Sequence, residues 1–124
     1  VMEKLAELGD CDVTLSEKET EDFIVSETCK HFLVNKSDII KNGKVSGDAL
    51  EARDMCFIML KKHLDYSHKK ISTIFKKSEA QCTHAFNRFA KMNTKIKHEK
   101  EFLDSFAEIN SVISTFINQQ KLIA

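Results

Sequence analysis

Tyr66-Ser67-His68-Lys69-Lys70-Ile71-Ser72-Thr73-Ile74-Phe75-Lys76-Lys77-Ser78-Glu79-Ala80-Gln81-Cys82-Thr83-His84-Ala85-Phe86-Asn87-Arg88-Phe89 reads as two short helices joined by a tight turn. Ser67 caps the first, over residues 69–75, whose inner side is Ile71, Ile74 and Phe75. Lys76-Lys77 make the turn. Ser78-Glu79-Ala80-Gln81 is a capping box: the serine hydroxyl holds an orphan backbone amide while the third helical residue reaches back. On a 100° wheel the helix so opened buries Cys82, Ala85, Phe86 and Phe89, and turns Ala80, Thr83, His84, Asn87, Arg88 and Lys91 outward. It runs to about Met92, with Asn93 able to end it.

Upstream, Asp48 with Glu51 forms a second capping box, and Ala52, Met55, Cys56, Met59, Leu60 and His63 recur at helical spacing to about Leu64. Residues 41–47, with two glycines and an Asn, read as a loop, and Ser37-Asp38-Ile39-Ile40 as one helical turn. Ser16 and Glu19 form a third capping box for a helix over 17–33 carrying Phe23, Ile24, Cys29 and Phe32. Before it, Glu3 to Leu8 reads as a short helix stopped by Gly9. Downstream, Phe102, Phe106, Ile109, Ile113 and Phe116 make a stripe on a final helix over 97–120. Packed back on the domain, that stripe is core; facing outward, it is a seam for a second copy or a partner protein.

With 124 residues, no proline and only three glycines, the chain suits a single all-α domain and lacks the turn residues of a sandwich or barrel. No apolar run approaches the roughly 20 residues of a membrane span, and no signal peptide is visible. Val1 ahead of Met2 leaves an upstream region open. Gly43-Lys44 has no glycine five residues before it, so it is not a phosphate loop. Cys11, Cys29, Cys56 and Cys82 lack paired spacing, which argues against zinc and for reduced, buried thiols in a cytoplasmic protein.

Formal net charge is zero, but residues 1–40 hold ten acidic and four basic side chains while 61–100 hold eleven Lys and Arg against three acids. Segmental charge decides what a face attracts. In the second stretch, small, amide, imidazole and guanidinium groups on 78–91 are of the kind that reach base edges and phosphates. Lys69, Lys70, Lys76 and Lys77 surround them and can neutralise duplex phosphates. The competing reading is a helix pair with a solvated basic face.

The same residues resemble a known family. Asp65-Tyr66-Ser67-x-x-x-Ile71-x-x-x-Phe75, then a turn, then His84-Ala85, is similar to the C-terminal DNA-binding domain of the bacterial replication initiator DnaA. Ala52-Arg53-Asp54 with Met55, Cys56 and Met59 looks like that family's Ala-Arg-Gln helix, and Cys29-Lys30-His31-Phe32 to Ser37-Asp38-Ile39-Ile40 like its opening helix and turn. The resemblance spans about residues 22–92. It implies a Trp-repressor-like helix-turn-helix that docks on double-stranded DNA, in replication initiation or its regulation, with an acidic extension over 1–21 and a long C-terminal helix added. Contacts would come from Lys44, Ser67, Lys69, Lys70, Lys76, Lys77, Ser78, Glu79, Ala80, Gln81, Thr83, His84, Asn87, Arg88 and Lys91. The departures are specific. The family's Gly-Gly-Arg turn is Lys76-Lys77, one residue shorter, and its base-reading Asp-His-Thr is Ser78-Glu79-Ala80. Its basic loop becomes Lys41-Asn42-Gly43-Lys44, and its nucleotide-binding module is absent from this chain. A phage or mobile-element relative fits these departures, as a replication protein, a helix-turn-helix transcriptional regulator or a protein-interaction module.

Nothing signals catalysis, a cofactor or a metal. Cys82 and His84 lie two apart on one helix and project in different directions, so they cannot act as nucleophile and base. His63 and His68 lack a companion set of ligands. His31 fits the C-terminal end of a helix, where a cation is tolerated.

Overall fold

The computed structural model describes residues 5–41 and 43–123, with side chains over 17–41 and 43–120. Among the described residues there are six helices and no strand: α1 (Leu5–Phe32), α2 (Lys36–Ile39), α3 (Asp48–Leu64), α4 (His68–Ile74), α5 (Glu79–Ala90) and α6 (Lys97–Ile123). No helix among them is long and apolar enough to cross a membrane.

The fold is built round α3. Every residue from Ala52 to Leu60 is buried, because α1, α5 and α6 pack on different sides of it while α2 and α4 close its flanks. The expected stripe of Ala52, Met55, Cys56, Met59 and Leu60 is there, but Arg53, Asp54, Phe57 and Ile58 are enclosed as well. α1 contributes Ile24, Val25 and Cys29 to this core, and α6 contributes Phe102, Ile109 and Ile113. Phe116 stacks on Phe23 at 3.9 Å between ring centroids, and Phe106 meets Phe89 at 4.9 Å. The stripe over residues 102–117 packs on the chain's own core, with Phe102, Ile109 and Ile113 buried and Phe106, Phe116 and Ile117 half-buried.

Three helix starts differ from the sequence reading. α1 runs unbroken through Gly9 and Ser16, where a stop and a fresh cap were expected. A glycine inside a helix costs about 0.5–1 kcal/mol relative to alanine, too little to force a break. Glu3 and Lys4, in the expected first helix, lie outside the described residues. α3 is capped by the Gly47 backbone, with Asp48 already helical and no side-chain cap bond, so the Asp48–Glu51 box does not form. The turn before α3 begins at Asn35, whose amide donates to the Asp38 carboxylate at 3.0 Å.

Helix ends explain how so few glycines suffice. Leu33, Asp65 and Lys76 take the left-handed conformation usually filled by glycine, with φ of 58°, 54° and 57°. After α4 the Lys77 amide donates to the Ser72 carbonyl at 2.9 Å and the Lys76 amide to Thr73 at 3.3 Å, the pair of bonds of a Schellman motif. That motif turns the chain into α5 within four residues.

Candidate nucleic-acid interface

α4 and α5 start as expected. Ser67 Oγ accepts the Lys70 amide at 3.1 Å, and Ser78 Oγ accepts the Gln81 amide at 3.2 Å. Gln81 Oε1 in turn accepts the Ser78 amide at 3.1 Å, completing the box. On α5, Cys82 and Ala85 are buried and Phe86 and Phe89 half-buried, while Glu79, Ala80, Gln81, Thr83, His84, Asn87, Arg88 and, just past its end, Lys91 are exposed. The inner and outer sides of this helix follow the wheel reading, with Phe86 and Phe89 half-buried where burial is expected. Its outward surface is free of large apolar side chains and offers hydrogen-bonding groups of several kinds.

Two basic segments meet beside the N-terminal end of α5. The turn lysine Lys77 donates its ammonium to the Gly43 carbonyl, so the loop carrying Lys41 and Lys44 docks against the α4–α5 turn across 34 residues of sequence. Burial, then the charges of Arg53 and Lys41, push the Lys77 ammonium below its ordinary pKa. The carboxylate at this end of α5 is Glu79, in its first turn. Lys44, Lys69 and Lys76 are exposed and, among the described residues, make no ion pair.

Besides Ser67, Ser78 and Lys77, the expected contact residues Lys70, Thr83, Gln81 and Arg88 have partners within the chain. Lys70 lies 3.9 Å from the Tyr66 ring centroid and 3.4 Å from Glu17 Oε1, so α1 supplies an acidic neighbour to the edge of α4. Tyr66 donates its hydroxyl to Glu21 at 2.9 Å, and burial followed by that carboxylate raises the phenol's pKa above its ordinary value. Thr83 Oγ1 sits 3.1 Å from Nδ1 of His68, whose ring stacks on Phe86 at 4.7 Å; the threonine is turned toward α4. Gln81 spends its carbonyl on the capping box, so a bidentate contact to adenine would require breaking that box. Arg88 bonds the Asp54 carboxylate instead of standing free.

Arg88 and Lys91 also line a pocket of about 350 Å³ with Glu51, His98, Met92 and Phe102, past the far end of α5. The candidate contact face thus narrows to the N-terminal half of α5 with the turn and loop beside it. Local spacing missed Arg53, Asp54 and the Gly43 carbonyl. The signal for the first two was a charged pair abutting the apolar run 55–60.

Among the described residues no group of three or more His, Cys, Asp or Glu is placed to hold a metal. Cys29, Cys56 and Cys82 are buried and unbridged; burial raises the Cys56 thiol well above its ordinary pKa and Cys82 to about 11, so neither is a ready thiolate. Cys11 falls outside the described side chains. His31 sits 3.0 Å from Ser105 Oγ, and His63 donates to Asn110 Oδ1 at 2.8 Å, both tying α6 to its neighbours. No protein-family model, curated protein or solved structure matches this chain.

Proposed function

We propose that the chain is a non-catalytic binder of double-stranded DNA that uses α4, the turn and α5 as a helix-turn-helix, with α5 in the major groove. The observation that carries this reading is the Lys77–Gly43 contact, which brings the loop of Lys44 to the Lys76-Lys77 turn beside the exposed start of α5, with Lys69 exposed on the adjoining α4. Lysines without carboxylate partners are free to displace counterions from phosphates. The helix start then brings Glu79, Ala80, His84 and Asn87 toward base edges, as such helices do. A role in replication initiation or its regulation rests on the resemblance to the DnaA DNA-binding domain, and a cytoplasmic place on the free, buried Cys29, Cys56 and Cys82. A transcriptional regulator of the same architecture is the alternative.

The test is binding to a random duplex pool across a salt series. Affinity should fall steeply with salt, with a log–log slope of about −0.9 per phosphate contact. Changing Lys44, Lys69 and Lys76 to Ala should flatten that slope by up to about 2.7, on the same basis. Selection from the pool should not return the initiator's own box, because Glu79 and Ala80 cannot make the contacts of the family's His and Thr. Glu79→Ala should relax the selected motif at one position, since a carboxylate there accepts from a cytosine amino group. Absence of duplex binding even at about 50 mM salt overturns the reading. A specific observation favours its rival, a protein-interaction module: the Glu17–Lys70 pair and the Tyr66 hydroxyl tie acidic α1 to α4. That rival predicts no duplex binding.

A further inference from the structure

α3 encloses two charges, Arg53 at 5% exposure and Asp54 at 8%. Charges persist in such a place only when paired and hydrogen-bonded. Asp54 Oδ1 accepts Arg53 Nε at 3.2 Å and Nη2 at 3.0 Å, and its Oδ2 accepts Nη2 of Arg88 from α5. One carboxylate thus holds two guanidinium groups from two helices. Arg53 is fixed further by lying 5.1 Å from the Phe57 ring centroid; Phe57 packs edge-to-face on Phe75, which ends α4. The Arg53 charge also bears on Lys77 in the turn and on Cys82 in the first turns of α5. A charged cluster buried on the α3 side therefore reaches the half-exposed Arg88 near the C-terminal end of α5.

α5 buries completely only the small Cys82 and Ala85, while Phe86 lies half-buried on His68 and Phe89 half-buried against Phe102 and Phe106. Small side chains permit a helix to roll or slide on its neighbour, whereas charge-assisted hydrogen bonds have fixed direction. We propose that Asp54 is a positioning residue for the DNA-contacting face: by holding Arg88 it sets the roll of α5 on α3, and with it the angle at which residues 79–87 meet base edges. This rests on the duplex-binding reading above, and the experiment separates the two.

Asp54→Asn would leave Arg53 without a carboxylate and can unfold the chain, so Arg88→Met is the primary variant. It keeps the apolar stem and leaves the Arg53–Asp54 pair intact. Its affinity for a duplex selected from the random pool should fall at least about tenfold, the scale of one misplaced base contact, with little change on a scrambled duplex. Its salt slope should stay as in the wild type. Arg88→Lys, which can still pair with Asp54, should recover part of the loss. A slope smaller by about 0.9 makes Arg88 a direct phosphate ligand and overturns the proposal. Unchanged discrimination between the two duplexes overturns it as well. If the wild type binds no duplex, the functional reading falls, and the positioning claim is decided by amide residual dipolar couplings on the free protein. Reorientation of α5 against α3 in Arg88→Met upholds it; an unchanged orientation sinks it.

Discussion

α3 and α5 are neighbouring helices with opposite fates. α3 is wrapped on several sides, and nine consecutive residues, Ala52 to Leu60, lose their solvent. α5 rests on α3 and α4, with Phe89 reaching α6, and buries only Cys82 and Ala85 completely. A helix with neighbours on one side keeps its sequence period, because water selects polar residues for the remaining arc. A helix wrapped all round has no such arc, and even its charges must be internal. α3 is where stability concentrates, and α5 is where a surface is presented.

The comparison breaks if mutations in the two helices behave alike. The largest expected effect is Phe57→Ala in α3. Phe57 is fully buried against Phe75 and Arg53, and its truncation should destabilise by about 3–5 kcal/mol in chemical denaturation. On α5 the dominant stability effect should come from the cap and not from a face residue. Ser78→Ala removes the hydroxyl that holds the Gln81 amide and should cost about 1 kcal/mol. Asn87→Ala and His84→Ala, exposed on the same helix, should stay within about 0.5 kcal/mol of wild type while altering duplex affinity. A loss at Asn87 comparable to that at Phe57 would mean that α5's outward face is covered in solution.

Two smaller effects sharpen the picture at the edges. Leu33 ends α1 in the left-handed region at 90% exposure, so it contributes strain and almost no burial. Leu33→Gly should stabilise by about 0.5 kcal/mol, the relief of the left-handed conformation less the extra freedom of the unfolded chain. Melting temperature reads this directly. His63, at the end of α3, has its pKa lowered from 6.5, chiefly by burial, against the raising effect of its bond to Asn110. The unfolded chain therefore takes up the proton first. This contribution is intact above pH 6.5 and is lost as pH falls from there through the lower folded-state pKa. Denaturation at a series of pH values should show that decline, and His63→Gln should reduce it.

Much of α4 and α5 was legible. Ser67, Ser78 and Gln81 act through bonds that span three residues, and the buried side of α5 follows from its period. The partners of the outward residues were not legible. Arg88 meets Asp54 across 34 residues, Lys70 meets Glu17 across 53, and Lys77 meets the Gly43 carbonyl across 34. The helix of origin shows such a residue as merely outward; only the neighbouring helix decides whether outward means water or a carboxylate. Gly9 and Asp48 fail for a related reason. A stop or cap signal is worth about 1 kcal/mol, and surrounding structure readily outweighs it.

The helical class, the two serine-capped starts of α4 and α5, the turn between them and the inward side of α5 are all written in the local run of residues. Each follows from interactions within one or two turns of the chain, where spacing is geometry. Tertiary structure alone decided that α3 is enclosed, that the α6 stripe belongs to the core, and that the 41–47 loop joins the α4–α5 turn in one basic edge. It also decided that Asp54 holds Arg88. These depend on where separate helices come to rest, and that is settled by the joint packing of Phe57, Phe75, Ile109, Ile113 and their neighbours rather than by any local run of residues.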